Sequence, residues 1–459
     1  MVGVNDTVDR TTYDDDLFIR MDQVFDVPVL SQGLWRLTTP LTTDEFELIG
    51  ARLARTPISR LLRDQHLPLS RQYWVAAGAA GGSAVVDDPI EPTEILQWVE
   101  RAAAIRFDIR NGPVWQLRTA PVTDGGAMVS LCSSHAVGDG YLGGISLVSC
   151  FGDDDDVLDY HPGEPGLTDD LRDAVGQAVT IGGSLAGLGR EIITKRLGGA
   201  DTATAPTGEA APITSRSIPA PAAVSAEDRA REVPITTPLS IVSIPSAQWS
   251  AVHTAAGGTS NSLFIAIVVG LIVGAGRATW DDVVRVAVPM SIRDEGDTRA
   301  NSTTGLTVDI PASWSHEKNL AAVRERAKQA YSAVSTPSTL VRLQPLMQAL
   351  SDSMVTKLSA NAATPLALAS SSGRVDPMFA GLGKPERIDA VASRATTQGV
   401  SRERLIRLRG GLAAWCNDSG TTVTLSVSGL DPRAFPSSAD LLTAVENECA
   451  RWSLTTTSW

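Results

Sequence analysis

The sequence predicts an α+β protein made of two similar halves, and three observations carry that prediction. Segments of helical and of strand periodicity alternate on both sides of the midpoint rather than sorting into runs of one kind. The stretch 198–234, "GGADTATAPTGEAAPITSRSIPAPAAVSAEDRAREVP", is rich in Ala, Pro, Thr and Ser and nearly lacks large apolar residues. It cannot bury enough surface to offset its ordering entropy, and reads as a linker. At 459 residues the chain is too long for one ordinary core, while 43% hydrophobic residues supply enough for two. The division that follows is an N-terminal lobe over 1–175, a helix and linker over 176–238 and a C-terminal lobe over 239–459.

Taken in order, "TTDEFELIGARLA" (42–54) places Thr42 and Glu45 at capping-box spacing and sets Phe46, Ile49 and Leu53 on one stripe, which predicts a helix. "TEILQWVERAA" (93–103) predicts a second. "VWQLRTAPV" (114–122) and "AMVSLCSSH" (127–135) predict adjacent strands around the turn "TDGG". Residues 176–198 set Ile181, Leu185, Leu188 and Ile192 at helical spacing, with Arg190, Lys195 and Arg196 toward the end. This amphipathic stretch, 177–197, reads as a helix on the protein's own surface, with peripheral membrane contact as the alternative.

In the second half the strands "LSIVSIP" (239–245) and "VVRVAVPMSI" (283–292) accompany helices at 262–275 and 316–333. The run "LFIAIVVGLIVGAG" (263–276) falls short of the ~20 residues that a spanning helix needs and predicts a buried core helix. "GLAAWCN" and "TTVTLSVSG" predict a hairpin around "DSG", followed by a helix over 437–450. Trp35, Trp74, Trp98 and Trp115 are assigned to the core.

Composition narrows the function classes. A formal charge of −13 repels phosphate backbones, so nucleic acid is not an expected partner. Lysine is scarce beside arginine, which suits a GC-rich bacterial genome. Cys132, Cys150, Cys416 and Cys449 show no metal-ligand spacing and read as reduced thiols. The start "MVGVNDTVDRTTYDDD" carries acid where a signal peptide carries base, so a cytoplasmic protein is expected, with attachment to the inner membrane as the alternative. No metal is expected either. The run Asp153 to Asp156 near His161 points its carboxylates in different directions and reads as a solvated loop. "GAGRAT" (274–279) lacks the spacing of a phosphate loop. His66, His253 and His316 have no partner at useful spacing.

The remaining histidine is different. "SSHAVGDGYLGG" (133–144) puts His135 at the end of a predicted strand, with Asp139 four places on. Gly138 and Gly140 argue against a helix and for a turn in which glycine takes positive φ and admits a ligand. Imidazole with a pKa near ~6.5 is largely neutral at pH 7 and can accept a proton from an attacking hydroxyl or amine. The bare pattern equally fits a satisfied histidine in a turn.

"SSHAVGDG" resembles the HHxxxDG motif of the CoA- and carrier-protein-dependent acyltransferases, a superfamily that includes chloramphenicol acetyltransferase, peptide-synthetase condensation domains and the bacterial wax ester synthase/diacylglycerol acyltransferases. "FDIRNGPVWQLR" (107–118) is similar to the F-D-L-x-x-G-P-x-x-R-like stretch ahead of that motif. "VAVPMSIRDEG" with "RANSTTGLTVDIP" (286–311) resembles the P-V-S-x-R segment of the wax ester synthase branch, and "LASSSGRVDP" (368–377) a channel-lining strand. The four blocks fall in the family's order and cover most of the chain.

The resemblance implies two chloramphenicol-acetyltransferase-like lobes with a central channel between them. It implies a general base, His135, and a carboxylate, Asp139, that pairs with Arg293 while Gly140 shapes the loop. It implies no permanently bound cofactor: acyl-CoA or an acyl carrier is the co-substrate, and a hydroxyl or amine the acceptor, a lipid or alcohol in the nearest branch. Asn301, Ser371 and Ser372 are the candidates for channel and oxyanion donors. Two positions depart from the pattern. Ser134 replaces the first histidine, and Ser262 follows Asn261 where an aspartate is usual. They keep two other readings open, an amide-forming condensation enzyme and a catalytically silent relative that binds a ligand in the same channel.

Overall fold

The computed structural model describes residues 7–197, 211–217, 225, 232–294, 296–332, 348, 350–359 and 364–459, with the side chains of 188–197 and 357–359 outside that description. Most of the linker read at 198–234 lies outside the described residues, as do the side chains of Leu188, Arg190, Ile192, Lys195 and Arg196.

The strands are β1 (Asp9–Arg10), β2 (Val29–Leu37), β3 (Arg60–Arg63), β4 (Tyr73–Ala76), β5 (Gly82–Val86), β6 (Trp115–Pro121), β7 (Ala127–Ser134), β8 (Leu239–Pro245), β9 (Val283–Ser291), β10 (Thr303–Pro311), β11 (Ala367–Arg374), β12 (Ile388–Thr397), β13 (Leu412–Asp418), β14 (Thr422–Gly429) and β15 (Thr457–Ser458). Among the described residues they form three sheets: β1-β4-β3, the five-stranded β12-β2-β7-β6-β5 and the seven-stranded β10-β9-β11-β13-β14-β8-β15. This mixed α+β architecture is the expected class. The halves are not closed units, however. β12, from the second half, pairs antiparallel with β2 along nearly its whole length, from Thr397 opposite Val29 to Ile388 opposite Leu37. The boundaries at 175 and 239 divide the chain, and residues 388–397 cross back.

Helices α1 (Tyr13–Gln23), α2 (Thr43–Leu53), α3 (Ile95–Ala102), α4 (Gly140–Val148), α5 (Leu167–Leu197), α6 (Ser246–Ala255) and α7 (Ser260–Gly274) precede further helices of the C-terminal part, among them Leu320–Ser332 and Ser438–Arg451. α2 carries the capping box read from sequence, with the Glu45 N–H donating to Thr42 Oγ and Glu45 Oε2 accepting from the Thr42 N–H. α7 is apolar on every side and buried from Ser262 to Ile272, as a core helix must be. No single helix among the described residues is long and apolar enough to cross a membrane. The helix expected over 316–333 is divided, because Lys318 takes a left-handed φ of 58° between Ala312–His316 and Leu320–Ser332.

Trp35, Trp74, Trp98 and Trp115 are all buried. Trp115 explains one glycine. A Cβ on Gly82, its parallel partner on β5, would lie 2.0 Å from Trp115 Cε2. A buried indole cannot yield, so Gly82→Ala is expected to destabilise the fold by about 1–3 kcal/mol through overpacking, read as a lower denaturant midpoint. An unchanged midpoint would mean the indole has room to move.

α5 begins nine residues earlier than the periodicity suggested. Asp170 anchors it to Arg10 at 2.5 Å and to the His66 ring at 3.2 Å, and Asp173 to Arg71 at 2.6 Å. His66 therefore has a partner that sequence spacing did not reveal. A surface cavity of about 610 Å³ opens beside these pairs, its Arg10 and Arg71 already neutralised.

Candidate active site

β7 delivers His135. The strand is buried throughout and its last residue, Ser134, donates its N–H to Val114 O, while the His135 N–H reaches Val29 O on β2 at 2.9 Å. Ser134, at the first histidine's place in the motif, turns its Oγ to accept from the Ala136 N–H and steadies the turn. The expectation of left-handed glycines is not met. Neither Gly138 nor Gly140 has positive φ, and Gly140 opens α4. Asp139 is the N-cap of that helix, its Oδ1 accepting from the Leu142 N–H at 3.0 Å. Around Gly140 a Cβ would meet nothing within 4 Å, which leaves open space at the helix start.

The other wall comes from the connection between β9 and β10. Arg293 Nη2 donates to Asp139 Oδ2 at 2.8 Å, with the two side chains only 1% and 5% exposed. The same nitrogen donates to Ala300 O, and the Asp139 N–H also ends on Ala300 O at 3.0 Å. Ser302 N–H adds a third donor to Asp139. Arg60, fully buried, holds the connection again through Thr298 O at 2.9 Å. The motif loop and the β9–β10 connection are thus tied by charge and backbone together.

Asn301 is the residue that reaches the imidazole. Its Oδ1 lies 3.1 Å from His135 Nδ1, and its Nδ2 donates to His135 O at 3.0 Å and to Asp15 Oδ1 at 3.0 Å. Phe18 stacks on the ring with centroids 3.9 Å apart and planes 18° from parallel. Nε2 has no hydrogen-bond partner among the described residues, and the residue is only partly buried. The ring is gripped at Nδ1 and on one face, and open at Nε2.

Burial pushes the His135 pKa below its ordinary value, against opposing pulls from Asp139, from its own backbone and from Asn301. A base lowered in this way stays neutral at pH 7 and loses its lone pair only in more acid solution. The acid limb of a kcat/KM profile is therefore expected below ~6.5, the value of free imidazole. A limb at or above pH 7 would contradict the assignment.

Ser371 and Ser372 sit near the exposed end of β11, where the pairing with β13 shifts register between Ser371 and Gly373. Ser371 Oγ accepts from the Gly373 N–H, and no hydrogen bond among the described residues joins either serine to the His135 cluster. Ser262 caps α7: its N–H donates to Thr259 Oγ and its Oγ accepts from the Thr259 N–H at 2.7 Å. Asp15 and Phe18 went unread in the sequence. The signal was present in Thr12-x-x-Asp15, a capping-box spacing ahead of α1, and both halves of that box form.

No protein-family model and no curated protein matches the chain. Solved structures do, over its full length. The first condensation domain of the calcium-dependent antibiotic synthetase, in complex with a substrate analogue, superposes with a TM-score of 0.57 at 13% identity, over 97% of this chain and 96% of that one. The chain adopts the condensation-domain fold. The wax ester synthase/diacylglycerol acyltransferase from Marinobacter aquaeolei VT8 shares this fold at a TM-score of 0.54 and 14% identity, over 97% and 98%. So does a starter condensation domain of rhizomide synthetase in complex with C8-CoA, at 0.52 and 13%, over 98% and 95%.

Proposed function

We propose that this protein is an acyltransferase that moves an acyl group from a CoA or carrier thioester to a hydroxyl acceptor, with His135 as general base. The observation that carries the reading is the state of the imidazole: half-buried, lowered in pKa, held at Nδ1 by Asn301 and without a hydrogen-bond partner at Nε2 among the described residues. In the proposed step Nε2 takes the proton of the acceptor hydroxyl as its oxygen attacks the thioester carbonyl. The tetrahedral oxyanion collapses, the C–S bond breaks, and the proton passes from Nε2 to the departing thiolate. The products are an ester and a free thiol, and the enzyme returns to its starting state.

Asn301 cannot donate to the oxyanion, because both of its N–H bonds are spent on Asp15 and His135 O. Ser371 and Ser372 remain candidates for that role. A lipid or long-chain alcohol as acceptor is supported by the wax ester synthase likeness and by exposed apolar residues along α5, including Val175, Val179 and Leu185. The condensation-domain likenesses favour a second reading in which a carrier-bound amine is the acceptor. The deciding experiment supplies acyl-CoAs of graded length with a long-chain alcohol, a diacylglycerol or an amine, and follows thiol release and product mass. Ester formation is the expected result. Amide formation would select the second reading, and no transfer from any thioester would refute both.

A further inference from the structure

We infer that Asp15, on a helix outside the motif, is a positioning residue that fixes the Asn301 amide and so decides which nitrogen of His135 carries the proton. The inference rests on His135 being the base proposed above. Asn301 Nδ2 lies among acceptors alone: Asp15 Oδ1 at 3.0 Å, His135 O at 3.0 Å and Ala136 O at 3.4 Å. An amide oxygen placed there would face three acceptors, so the amide is held with Oδ1 toward His135. That oxygen can only accept. Nδ1 must then be the protonated nitrogen, and the lone pair sits on Nε2, the open edge.

Asp15 does more than fill a gap. Its Oδ1 also accepts from the Asn301 backbone N–H at 2.9 Å, so one oxygen holds both the backbone and the side chain of Asn301. Its Oδ2 accepts from the Thr12 N–H at 2.7 Å and locks the carboxylate to the first turn of α1. One turn further along the same helix face, Phe18 covers the imidazole. α1 therefore sets the tautomer through Asp15 and the ring plane through Phe18. With Asp15 removed, a rotated Asn301 can present Nδ2 to His135 Nδ1, which must then accept, and the proton moves to Nε2, where it blocks the base.

The test is nitrogen NMR of protein labelled at histidine, with the His135 signals assigned by their loss in His135→Ala. The wild type is expected to show Nδ1 protonated. Asp15→Ala is expected to move a measurable fraction to the Nε2–H form and to lower kcat about tenfold with KM within about twofold, since a misplaced base costs turnover more than binding. A role confined to capping α1 would lower the melting temperature and leave the tautomer alone. Should Asp15→Ala fail to fold, Asn301→Leu removes the acceptor directly and is expected to lose the Nδ1–H signature. Wild-type tautomer in whichever variant folds would overturn the inference. The NMR signal is read without turnover, so its failure is distinct from failure of His135 as base, which the activity of His135→Ala decides.

Discussion

His135→Ala is expected to lower the rate of thiol release from acyl-CoA in the presence of acceptor by about 10²–10⁴-fold, the usual contribution of a positioned general base. The loss should appear in kcat, because the imidazole acts on the proton in flight. The substitution also leaves Asn301 Oδ1 without its donor beneath Phe18. Circular dichroism and thermal unfolding of the variant therefore belong in the same experiment, and His135→Gln, which keeps a donor in the pocket, separates packing from chemistry. Equal rates for wild type and both variants would remove the base from the mechanism and favour a protein that only holds its ligand.

The second large effect concerns stability. Arg293→Met takes the cation from a carboxylate that is almost wholly buried, and breaking such a pair on one side costs about 3–5 kcal/mol. The penalty belongs to the stranded charge more than to the lost attraction. Asp139→Asn combined with Arg293→Met should consequently recover a large part of the loss, since the asparagine keeps an acceptor for the Leu142 N–H while shedding the charge. Urea midpoints of the two single variants and the double variant measure this coupling. A double variant as unstable as the sum of the singles would show that the pair is not what holds the motif loop to the β9–β10 connection.

The sequence made one axis of this site legible and hid the other. His135, Asp139 and Arg293 stand out because "SSHAVGDG" resembles the HHxxxDG motif and "VAVPMSIRDEG" resembles the P-V-S-x-R segment, so the ion pair could be named before any geometry. Asp15 lies 286 residues from Asn301, and no local pattern reports a contact over that distance. The turn at His135 to Asp139 is as read, but α4, which follows it, goes unread for a different reason. Gly140, Gly143 and Gly144 carry poor helix propensity, yet the N-cap of Asp139 and packing of Leu142 and Leu147 outweigh it. In the second half β8, β9, β13 and β14 are readable because their apolar patterns are local. The β13–β14 hairpin is readable with them, its partners being adjacent in sequence, whereas β12 goes unread: its composition suits any sheet, and only the tertiary structure puts it beside β2.

That crossing strand governs how the molecule can be made. During synthesis β2, β7 and the histidine they support leave the ribosome long before residues 388–397 exist, and until then β2 offers a bare edge ready to pair with a neighbouring chain. The nascent N-terminal part cannot mature on its own, and a gene split between the halves should yield material that aggregates unless both pieces are produced together.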